Sequence, residues 1–163
     1  MDHTAFISAR DPQNSRAIPG AIFHFLAKGE DTAGRYSLME IHVKAGNEPP
    51  AHTHLREDEV YFILKGEMRF EVGGQVLHAK PGDHVYLPKD VPHAFKVVTE
   101  DAHVLMWMAP AGLEQWFWDN SAPAPDMQPL PMPSGPPPAE AIAHVVRTLA
   151  DYGVEMVGAQ VEQ

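Results

Sequence analysis

The chain has 163 residues, 44% of them apolar, which is enough for one domain with a real core and short for two. A net charge of −10 argues against nucleic acid or an anionic membrane surface as partner, since both need a basic patch. The absence of cysteine excludes disulfides and thiol catalysis and restricts any metal site to His, Asp and Glu. No stretch is long and apolar enough to span a bilayer. Met1 to Arg10 lacks the basic start and apolar run of a signal peptide, so a cytoplasmic protein is expected.

In chain order, residues 1–16 are polar with turn signals at Asp11-Pro12 and Asn14-Ser15, an irregular N-terminal arm. Residues 17–120 read as a β-barrel. Ala17 to Ala27 holds the β-branched and aromatic run Ile22-Phe23-His24-Phe25-Leu26, and Lys28 to Gly34 is a turn. Arg35 to Lys44 alternates Met39, Ile41 and Val43 with Glu40, His42 and Lys44. Pro49-Pro50 marks a loop. Glu59 to Lys65 and Glu67 to Val72 are strands, and Gly73-Gly74 turns the chain back into Gln75 to Ala79. His84 to Leu87, His93 to Thr99 and His103 to Ala109 complete the set. Short strands parted by Gly and Pro turns, without helices between them, predict an all-β barrel or sandwich.

After Ala111 the character changes. Gly112 to Asp119 is aromatic and suits a short helix. Residues 121–138 contain eight prolines and predict an extended, semi-rigid linker. Residues 139–163 are a C-terminal helix and tail. Ile142, Val145, Val146 and Leu149 fall at i, i+3, i+4 and i+7, and Gly153 suits the helix end. That stripe needs a surface to bury it.

The chemistry concentrates in residues 46–66. His52 and His54 are two apart, so on a strand they face the same side, and Glu59 follows at the head of an apolar strand. Glu59 shares parity with Tyr61 and Ile63, and His93 with Phe95 and Val97. If these point inward, a mostly apolar cavity holds three imidazoles and one carboxylate. Such a set suits a divalent Fe, Ni, Mn, Co or Zn ion and leaves coordination positions open for substrate.

Gly46-x5-His52-x-His54-x4-Glu59-x6-Gly66 matches position for position the first motif of the cupin family, which this chain resembles. The second motif is present in a variant form, Pro81-Gly82-Asp83 followed by Pro92-His93-Ala94-Phe95. The resemblance covers roughly residues 35–110. It implies a double-stranded β-helix barrel with His52, His54, Glu59 and His93 as metal ligands. Ala109 to Glu114 and Tyr152 to Glu155 also look like segments of bacterial quercetinase-like monocupins. That second resemblance implies an aromatic, flavonol-like substrate cleaved with O2, with Glu59 both ligand and general base.

Rival readings are a cupin isomerase, lyase or hydrolase that uses the metal only as a Lewis acid, and a non-catalytic small-molecule-binding barrel. Tyr61, Ile63, Phe95 and Met106 or Met108 are candidate lining residues. Trp116-Phe117-Trp118 is either a lid, a patch anchoring the tail or a dimer contact. His3, His24, His78, His103 and His144 show no partner pattern, and His84 either approaches the cavity or faces solvent on the side it shares with Tyr86. Both faces of Val60 to Leu64 are apolar; the N-terminal strand, the C-terminal helix or a second subunit could cover the outer one, and a homodimer is the expected arrangement.

Overall fold

The computed structural model describes residues 4–157; His3 and the end of the tail, 158–163, lie outside them. A one-turn 3-10 helix at Pro12–Asn14 leads into β1 (Ser15–Ile18), β2 (Ala21–Ala27), α1 (Gly29–Thr32), β3 (Ser37–Lys44), β4 (His52–His54) and β5 (Asp58–Lys65). Then follow β6 (Met68–Val72), β7 (Gln75–Ala79), β8 (His84–Leu87), β9 (His93–Val97) and β10 (Asp101–Ala109). The chain closes with α2 (Glu114–Asp119), β11 (Ala122–Pro123), α3 (Ala139–Asp151) and β12 (Val154–Met156).

Two antiparallel sheets form the barrel, one in the order β11-β1-β2-β3-β10-β5-β8 and one in the order β12-β4-β9-β6-β7. The alternation seen in β3 becomes an inward row of Met39, Ile41 and Val43, all buried, with Glu40 and His42 on the outer face. Long β10 lies between β3 and β5, so Met106 sits opposite both Met39 and Tyr61. Tyr61 on one sheet meets Phe70 and Phe95 on the other at ring separations of 5.3 and 5.8 Å, tying the sheets together. Phe70 is fully buried, and truncating it to Ala would cost about 3–5 kcal/mol. The β5–β6 turn depends on Gly66, at φ 80, where a Cβ would lie 2.3 Å from the Asp101 carbonyl oxygen.

The all-β barrel and the helical extension are as the sequence pattern predicts, and three local readings change. Ala17 to Ala27 is not one strand: it folds back at Gly20, so that Ile18 pairs with Ala21. Lys28 to Gly34 contains one helical turn, α1. The Pro-rich stretch is partly built into the barrel. Ala122–Pro123 pairs with β1, Ala124 is buried, and Leu130 exchanges backbone hydrogen bonds with Ile18 and Gly20. Proline blocks a central ladder but tolerates an edge, where alternate backbone groups suffice. No helix among the described residues is long and apolar enough to cross a membrane.

Candidate metal centre

β4 is only three residues long, and extended backbone turns His52 and His54 to the barrel interior with Thr53 between them. β9 runs beside it and places His93 directly opposite His52. Glu59 comes from the other sheet, where it is flanked by Leu87 and Met108. The four residues that the sequence singled out are therefore brought together from three strands, and all are buried.

One ligand-capable atom from each of the four lies within 4.8 Å of the others. Two ligands on opposite sides of an ion, at bonds of about 2.1 Å, would be about 4.2 Å apart, so a small adjustment closes the shell. The hydrogen bonds favour the same conclusion. His52 Nδ1 donates to the Pro50 carbonyl at 2.9 Å and His93 Nδ1 to the Val91 carbonyl at 3.2 Å. A carbonyl only accepts, so the proton sits on Nδ1 and the lone pair on Nε2. His93 Nε2 is buried without a hydrogen-bond partner, 3.4 Å from Glu59 Oε2. A buried nitrogen left open in this way fits a metal-binding role.

His54 is held by a residue that sequence reasoning missed. Its Nδ1 lies 2.7 Å from Oε1 of Glu57, a carboxylate only 2% exposed. In the sequence Glu57 is one acid of Arg56-Glu57-Asp58, indistinguishable from a solvated loop; its spacing of three from His54 is the one available signal. A carboxylate behind a ligating imidazole fixes the ring and raises its basicity.

These surroundings set the charge state of the site. Burial drives the His52 pKa down to about 4. Burial would lower His54 as well, but Glu57 and Glu59 outweigh it and raise the ring above its ordinary value. Glu59 is pushed up by burial, yet the close approach of His93 and the neighbouring His54 and His52 rings outweigh it and hold it low, hence ionised. Tyr61, buried with its hydroxyl 3.4 Å from Glu59 Oε1, stays protonated.

The cluster opens into a cavity of about 690 Å³. Tyr61, Phe95 and Met106 line it as expected, whereas Ile63 and Met108 are buried in the core behind it. The aromatic triplet divides its work. Trp116 and Phe117 line the cavity, and Trp116 Nε1 also donates to Thr148 Oγ1 on α3 at 2.9 Å. Trp118 packs edge-on against Phe25, with Arg16 and Lys28 over its ring. His84 is exposed. Two histidines without a partner pattern in the sequence do have partners: His24 Nδ1 with Ser15 Oγ at 2.7 Å, and His103 Nε2 with Glu40 Oε1 at 2.9 Å.

Comparison with known proteins agrees with this architecture. A family model described as the cupin domain matches residues 39–108. An uncharacterised protein of Streptomyces coelicolor is 33% identical over 94 residues, covering 58% of this chain and 84% of that protein. Quercetin 2,3-dioxygenase of Bacillus subtilis is 22% identical over 106 residues, 64% of this chain but only 32% of that enzyme's length. Pac13, a nucleoside dehydratase of Streptomyces, shares the fold with a TM-score of 0.55 at 16% identity, over 69% of this chain and 88% of that one.

Proposed function

Because residues 39–108 match the cupin domain and the chain folds as a cupin barrel, we propose that it is a metal-dependent dioxygenase that cleaves a flavonol-like or other enolisable aromatic substrate with O2. The observation that carries this reading is the cavity wall. His52, His54 and Glu59 open into a space otherwise walled by aliphatic and aromatic side chains, with Asn47, Tyr61 and Trp116 adding the remaining polar atoms. Among the described residues no lysine or arginine lines it. Such a wall suits a flat apolar body that reaches the centre through one oxygen, and it offers nothing to a phosphate. The partial likeness to the Bacillus dioxygenase points the same way.

In this reading His52, His54, His93 and Glu59 hold one divalent first-row ion. When bound, that ion supplies Lewis acidity toward the substrate hydroxyl and activates O2. The chain's own residues do the rest. Glu59, kept ionised by the imidazoles, accepts the hydroxyl proton on a carboxylate oxygen. The Tyr61 hydroxyl donates to the other side of that carboxylate and steadies it. Glu57 fixes the His54 ring. The apolar wall keeps water from the reacting carbon atoms.

The test is anaerobic mixing of metal-loaded protein with quercetin, followed by admission of O2 at an oxygen electrode. Uptake matched to ring cleavage is expected. No uptake across a panel of flavonols, with metal bound, removes the reading. Turnover without O2 would point to the lyase or isomerase class, and retention of a ligand without turnover to a binding barrel.

The proposal includes a homodimer. On the outer face of the larger sheet, Val60 pairs with Trp107 and Tyr86, and Phe62 with Leu105 and His84, giving a mostly apolar surface. Leu64 and Tyr86 on this face are 41% and 51% exposed. A second copy is the expected cover. Light scattering should give twice the chain mass, and a single chain mass for Phe62→Asp.

A further inference from the structure

The stripe that the helical pattern puts on α3 has an unusual destination. Leu149, near the C-terminal end, is 7% exposed and joins the core. Val145 and Val146 are half-buried, and Ile142 is 50% exposed. Exposure thus rises along the helix as it leaves the barrel, yet Ile142, Val145, Val146 and Leu149 all face the cavity. The N-terminal half of the helix stands over the space without filling it.

The other end is firmly tied. β12 follows α3 through Gly153, at φ 82, and pairs with β4 so that Val154 lies opposite His54 and Met156 opposite His52. Leu55 N donates to the Gly153 carbonyl and Val157 N to the Ala51 carbonyl, both at 2.8 Å. Trp116 holds Thr148 from the barrel side. The helix is therefore anchored at its base to the strand that carries two of the candidate ligands, and its tip is reached through residues 131–138, exposed and Pro-rich.

We infer that α3 is the lid of the cavity, and that Ile142, Val145 and Val146 select the ligand by completing its apolar enclosure. The physical driver is the unburied half of the stripe. An apolar molecule seated over the metal centre offers Ile142 and Val146 the surface that the barrel does not, so ligand binding and helix docking stabilise each other. The inference rests on the cavity being the substrate site and not on the use of O2.

The chain carries its own reporter of this motion. Arg147 is the only lysine or arginine beyond Lys96, and it lies exposed on α3. Trypsin cleaves there only when the helix opens locally. The probe is N-phenyl-1-naphthylamine, a neutral apolar fluorophore, added to metal-loaded full-length protein. At about 100 times its Kd, release of the Thr148–Gln163 peptide should slow by up to about 100-fold. Ile142→Asp should weaken probe binding about tenfold or more, with metal content and Tm unchanged because the residue is half-exposed. Val146→Trp, which fills the space from the lid side, should exclude the probe and keep both. Absence of probe binding, binding with unchanged cleavage at Arg147, or wild-type affinity in Ile142→Asp would each overturn the inference. Loss of flavonol turnover alone, with the protection intact, would remove only the dioxygenase reading.

Discussion

Two histidine clusters occupy opposite faces of the barrel wall, and the contrast between them shows what sets a candidate metal site apart from a surface pair. Inside, the His52 and His54 rings are 5.1 Å apart; outside, on β3 and β10, His42 and His103 are 5.3 Å apart. Carboxylates accompany both pairs. Proximity and composition therefore do not separate them. The direction of the nitrogens does. Inside, Nδ1 of each ring is turned toward Pro50, Glu57 or Val91, which leaves Nε2 to converge. Outside, Nε2 is the paired atom, with His42 on Asp101 at 3.0 Å and His103 on Glu40 at 2.9 Å. Among the described residues, only the inner group could hold a metal ion.

The largest test of this contrast is a pair of alanine variants. His54→Ala should lose nearly all bound metal by elemental analysis of the folded fraction. His103→Ala should keep it, with a stability change of no more than about 1 kcal/mol, as for other partly exposed polar pairs. Full metal occupancy in His54→Ala would contradict the ligand assignment.

Glu59→Gln comes next. It should keep part of the metal through three imidazoles and lower turnover by about 10²–10⁴-fold, the range for loss of a general base. Equal losses of metal and turnover would make Glu59 a ligand only. Glu57→Gln touches no substrate, so its expected effect is smaller: metal affinity falls about 10–100-fold, read by competition with a chelator. Unchanged affinity would mean that the His54 ring is held by packing alone.

The smallest effect concerns pH. Burial lowers the pKa of His24, His103 and, furthest, His52, which is taken down to about 4, so the folded metal-free chain disfavours their protonation. Their contribution to stability is complete above the ordinary histidine value of about 6.5 and is lost as pH falls below it. His54, raised by its two carboxylates, has the opposite sign and is strongest at low pH. The Tm of metal-free protein should fall between about pH 7 and pH 5, where the lowered rings dominate, and His24→Gln should make the decline shallower. A decline equally steep in that variant would exclude His24 as a source.

Much of the barrel was legible because its signals are local. Period-two alternation in β3 and β6, the Gly73-Gly74 turn, and the parity of Glu59 with Tyr61 all follow from backbone geometry within a few residues. The candidate ligand group was legible for the same reason: His52, His54 and Glu59 lie in one short segment, and His93 sits at the head of an alternating strand. The α3 stripe was equally plain, but not its destination.

Residue order therefore settles an inventory: which side chains share a face, where the chain turns, and which residues can bind a cation. The tertiary structure alone decided the partners. Whether Glu57 faces His54 or water, whether residues 154–156 pair with β4, and whether the α3 stripe meets core or cavity depend on contacts between segments up to about a hundred residues apart. Local periodicity carries no information on such pairings. They are selected by which exposed edge or open apolar surface the rest of the fold leaves to be satisfied.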